Sequence, residues 1–80
     1  MSKPIETNAA TMDYVHQLIA AGHEIAEALG LNGGEVVQGA AIFAGMQARC
    51  NARPGMAEVV GEMSAEVVRR LATGRTATIN

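Results

Sequence analysis

Apolar residues recur along this chain at three- and four-residue steps in three separate stretches, the spacing of helices that turn one face away from water. In the first stretch Val15, Leu18, Ile19, Gly22, Ile25, Ala26 and Leu29 make a single stripe. Asn8 or Thr11 is placed to cap it, with Asp13 near its start, and Gly30 stands where a helix turns off in the left-handed conformation. The expected helix covers about residues 9–29, with Leu31 folding back onto its last turn. Asn32-Gly33-Gly34 then reads as a turn, Asn32 being the candidate cap of a second helix over about 33–50.

That second helix has an unusual wheel. Val36, Val37, Ala40, Phe43, Ala44 and Gln47 form one arc, and Gly39, Ile42, Met46 and Cys50 form a second arc beside it. Only Glu35, Gln38, Gly45 and Arg49 keep a strip suited to water. A helix buried on one side alone would carry a polar face of comparable width. Glycines inside a helix each cost about 1 kcal/mol relative to alanine, so Gly39 and Gly45 call for a packing reason. The third stretch, with Pro54 expected at its first helical position, covers about 54–73. Met56, Val60, Met63, Val67 and Leu71 make a narrow seam there, and Glu58, Glu62, Glu66, Arg69 and Arg70 occupy the other side. Glu66 and Arg70 are spaced for an i,i+4 ion pair. Residues 1–8 read as a loose arm and 75–80 as a short tail, leaving one domain over 9–74.

The expected fold is therefore all-α: a small three-helix bundle or an open helical corner, paired as a homodimer through the central helix. The Val36/Phe43 arc is expected to meet the first and third helices. The Gly39, Ile42, Met46 and Cys50 arc is then left for a partner. Composition strengthens the case for association. Hydrophobic residues are 49% of the 80, too many for a disordered chain, but Tyr14 and Phe43 are the only aromatics. A core of small aliphatic side chains and five Met removes less area from water than one built on rings. A single core in a scaffold of this size rarely supplies more than about 3–5 kcal/mol without a disulfide, a metal or association. The single Cys50, expected to be half-buried, cannot form an internal disulfide, which leaves association with a second copy.

Candidate chemistry is sparse. His23 and Glu27, at i and i+4, offer two ligands to a divalent metal, but zinc takes at least three from protein, and His16 lies roughly 10 Å away along the helix. If His16 and His23 border an interface, they would make association pH-sensitive. Cys50 closes a helix, the wrong end for the dipole to favour a thiolate nucleophile. Ser64 has no evident His partner. Neither a catalytic role nor a cofactor is expected. No apolar run is long enough to cross a membrane, and the first residues do not read as a secretory signal, so the cytoplasm is the expected location.

The stretch EIAEALGLNGGEVV carries one further pattern. Ala26 supplies a small residue, Gly30 a turn, Val36 a packing residue in the second helix, and Ile25, Leu29 and Leu31 the apolar positions around them. It resembles the helix-turn-helix motif of DNA-binding regulators. The resemblance covers about twenty residues and implies a DNA-binding corner at 21–42, with Gln38, Arg49 and Arg53 as the contacts to nucleic acid. Gly39 departs from the motif, standing where it would place another apolar plug. The charges also depart from it. No Lys or Arg lies between Glu24 and Met46, and the net charge is −2, whereas DNA binders carry a basic footprint.

The expected function is a non-enzymatic protein-interaction or oligomerisation module, an adaptor or accessory subunit, working through the apolar surface of the second helix. Its partners would be itself and an amphipathic helix of another protein, for which Ile42 and Met46 could line a groove with Met56 and Met63, although Met56 and Met63 in the seam read more simply as core-filling residues. A small apolar-ligand-binding protein is the remaining alternative.

Overall fold

The computed structural model describes residues 5–74 of the chain. Among them are three helices and no β-strand: α1 (Ala9–Leu29), α2 (Gly33–Asn51) and α3 (Ala57–Ala72). Residues 1–4 of the expected arm and the 75–80 tail lie outside the described residues.

The helix boundaries follow from local hydrogen bonding. Asn8 is the N-cap of α1, its Oδ1 accepting from the Thr11 backbone N–H at 2.7 Å. Asp13 stands beyond the first turn and takes no part in that cap. At the other end Gly30 is left-handed (φ 67°), and the Leu31 N–H donates to the Ala26 carbonyl at 2.9 Å, which folds the chain back over the last turn. Only Gly30, Leu31 and Asn32 separate α1 from α2. Asn32 begins α2 with a reciprocal cap: its Oδ1 accepts from the Glu35 N–H at 2.8 Å, and Glu35 Oε1 accepts from the Asn32 N–H at 3.0 Å. Both sides of the corner are thus satisfied by residues of the corner itself.

Pro54 departs from expectation. It does not open α3 but sits in a turn in which the Met56 N–H donates to the Arg53 carbonyl at 2.9 Å. Gly55 follows with φ 80°. Proline at the second position and a positive-φ glycine at the third are the chemistry of a type II turn. The α3 helix therefore starts at Ala57 instead of Pro54, without a side-chain cap. Its Glu66 pairs with Arg69, one turn along the exposed face.

The helices are open to water. None of the described residues is buried, and sixteen large hydrophobic side chains are exposed. The main helix–helix packing is between α2 and α3, where Ala48, Val60 and Val67 are half-buried. Met12, Val15 and Ala26 are the half-covered residues of α1. The accessible surface is 6668 Å², about 2,000 Å² more than a compact monomer of this mass exposes. Folding in this arrangement removes only about 45% of the extended chain's surface, where even smaller domains remove about 60%. The radius of gyration, 13.7 Å, also exceeds the roughly 11.6 Å of a compact 80-residue domain.

Candidate functional site

Parts of the apolar stripes of α1 and α2, joined by Val60 of α3, line a pair of grooves. The first, about 790 Å³, lies between α1 and the start of α2 and is lined by Val15, Leu18, Ala26, Leu31, Val36 and Ala40 among others. The second, about 570 Å³, is bounded by all three helices through Tyr14, Leu18, Phe43, Ala48 and Val60. Leu18 and Ala40 line both, so the grooves run into one another. This is where a core would stand. It stays open because many of its walls are small residues (Gly22, Ala26, Ala40, Ala44, Ala48 and Ala52) that leave space between the helices.

The expected coverage of the Phe43 arc is corrected by this arrangement. Phe43 does turn inwards between α1 and α3, but it remains 45% exposed, and Val36 is 41% exposed. Residue spacing establishes which side of a helix is apolar. It does not say whether neighbouring side chains are long enough to close over it.

The second arc of α2 faces away from both grooves. Ile42 is 57% and Met46 60% exposed, and Gly39 is open as well. Cys50 is exposed and not half-buried, since nothing packs on the last turn of α2 on that side. A Cβ built at Gly39 or Gly45 would meet nothing within 4 Å, so no intrachain packing accounts for a glycine at either position. The α2 helix is therefore apolar on two open faces.

His23 and Glu27 line the first groove side by side along α1, with no hydrogen bond between them. Among the described residues no three His, Cys, Asp or Glu side chains come together as a metal site. Gln47 and Asn51 supply polar groups at the second groove, and they satisfy one another: Asn51 Nδ2 donates to Gln47 Oε1 at 2.8 Å and to its carbonyl at 2.9 Å. That pairing lets their stems line an apolar groove without an exposed amide demanding a ligand.

The corner that resembles a helix-turn-helix has a left-handed Gly30, a folded-back Leu31 and a half-buried Ala26. Arg49 lies in the last turn of α2 and Arg53 in the turn after it, at the far end of α2 from the corner. Gln38, Ile42 and Arg49 fall within about 40° of one another on the helix wheel. A nucleic acid docked on Gln38 and Arg49 would therefore also cover Ile42, a residue with nothing to offer phosphate. No known family, curated protein or solved structure matches the chain. Among the described residues, no helix is long and apolar enough to cross a membrane.

What sequence reasoning missed is the groove itself. Val15, Leu18, Val36 and Ala40 read as ordinary core positions, and the shortage of aromatics was the one signal that such a core would be left unfilled.

Proposed function

We propose that this chain is a non-enzymatic helical interaction module that works as a homo-oligomer, with the Gly39, Ile42, Met46 and Cys50 face of α2 as its contact surface. The observation that supports this reading most is the absence of any buried side chain among the described residues, with sixteen large hydrophobics exposed. Surplus exposed area of about 2,000 Å² per chain, about 4,000 Å² for a pair, falls within the roughly 2,000–5,000 Å² in total that obligate homodimers bury. Gly39 adds to it, because a mid-helix glycine with open space around it suits the close approach of another backbone. In this role the chain is an adaptor or accessory subunit of the cytoplasm, with an amphipathic helix of another protein as a further partner for the same face.

The test is solution mass by light scattering, made on the chain and on Gly39→Leu. The expected result is a multiple of the monomer mass that falls in the variant. A monomeric wild type, or a variant with unchanged mass, overturns the assignment to this face.

A second reading draws on the grooves, whose volumes fall within the range of small-molecule sites. An apolar ligand seated there would co-purify with the chain and be extracted by organic solvent. A helix-turn-helix function, in contrast, requires salt-dependent retention on DNA, and no retention at low salt would end it.

A further inference from the structure

The exposed side of α1 has a regular spacing that the α2 reading does not use. Val15, Leu18, Gly22, Ile25 and Leu29 follow one another at steps of three, four, three and four, the a/d repeat of a helix that pairs with another helix. Such a seam is ordinarily covered. Here Val15 is half-buried, Leu18 is 42% exposed, and Ile25 and Leu29 are more exposed still.

At the middle of the seam stands Gly22, seven residues from Val15 and seven from Leu29. A Cβ built there meets nothing within 4 Å, so nothing in the chain's own packing calls for glycine. The positions flanking the seam are also free of charge: Ile19 and Ala26 on one side, Tyr14, Ala21 and Ala28 on the other. A helix meeting this face would find an apolar surface with its lowest point at the centre.

We propose that α1 pairs with α1 of a second copy, antiparallel, about a two-fold axis passing Gly22, so that each α1 lies in the first groove of the other chain. The axis sets Val15 opposite Leu29, Leu18 opposite Ala26, Ile19 opposite Ile25 and Gly22 opposite Gly22, so the flanking Ile19 and Ala26 take part with the seam, and the two glycines let the backbones cross closely at the centre. Antiparallel alignment also pairs the helix dipoles favourably. The seam spans about 21 Å at 1.5 Å per residue, and its Val15, Leu18 and Gly22 form one wall of the first groove. A standard contact takes about 800 Å² from each partner. The surplus of about 2,000 Å² accommodates that and leaves area over, so α1 pairing fits alongside a contact through the outer face of α2. Such a contact is isologous and closes at two chains. It goes beyond the α2 reading and does not depend on it.

The test compares solution mass for the full chain, Gly22→Leu and Gly39→Leu, with cross-linking in a Cys50→Ser background. Leucine is a better helix former than glycine, so Gly22→Leu does not weaken α1 itself. The expected results are a twofold fall in mass for Gly22→Leu, and a disulfide-linked dimer from Gly22→Cys under mild oxidation. Ile25→Cys should not cross-link, because the axis holds the two copies of that position about six residues apart. An unchanged mass in Gly22→Leu overturns the proposal, as does a cross-link through Ile25→Cys, which would mean parallel pairing. A fall in mass for Gly39→Leu alone would leave the α2 contact standing and remove this one. The reverse pattern would do the opposite, and a monomeric wild type removes both.

Discussion

Four glycines sit inside helices with open space where a side chain would be: Gly22, Gly39, Gly45 and the half-buried Gly61. They are not equivalent. Gly22 lies on the α1 seam and Gly39 on the apolar outer arc of α2, whereas Gly45 belongs to the strip of α2 suited to water. Gly45→Ala should therefore stabilise the chain by about 0.5–1 kcal/mol through backbone entropy alone, with no change in solution mass. Thermal melts at one fixed protein concentration check this, and a loss of stability would mean that Gly45 also faces a partner. Much of the local structure was legible at this scale. Asn8, Gly30 and Asn32 carry chemistry that only helix ends use well, and each stands at one. Pro54 was ambiguous because its fixed φ suits both the first turn of a helix and the second position of a turn. Gly55 decides the matter, since its left-handed backbone cannot continue as a helix.

Among the elements, the corner between α1 and α2 is the best-defined part of the chain. Three residues span it, and hydrogen bonds from both helices terminate in it. Asn32→Ala removes the acceptor for the Glu35 N–H and leaves in place the bond from the backbone N–H of residue 32 to Glu35 Oε1. The expected cost is about 1 kcal/mol, with a matching drop in midpoint denaturant and an unchanged slope. Glu35→Gln keeps the reach of the side chain and should lose less. The existence, order and apolar sides of the three helices were readable from spacing alone, because a 3.6-residue period leaves a plain trace. The separation of the helices was not readable. Whether Val36 and Phe43 are covered depends on the reach of Ala40, Ala44 and Ala48 across the groove, and spacing carries no information about distance between helices.

For the molecule as a whole, a chain that removes about 45% of its extended surface lacks the burial that offsets ordering its backbone. Its stability should thus rest on association. The thermal midpoint is expected to rise steadily with protein concentration, as it does when the folded state is an oligomer and the unfolded state is not. Circular dichroism melts over a hundredfold concentration range measure this, and a constant midpoint would show that the single chain is stable by itself.

The capped corner has a consequence in time. Its hydrogen bonds join residues three to five apart, and contacts that local form within microseconds of the chain's release from disorder. The corner would thus form and reopen many times in a single chain before two chains meet, and encounter would set the pace. At low abundance, each newly made chain spends its early life as a half-finished object with its greasiest faces outward. The faces that let it recognise its own kind are the same ones that expose it, during that wait, to the wrong company.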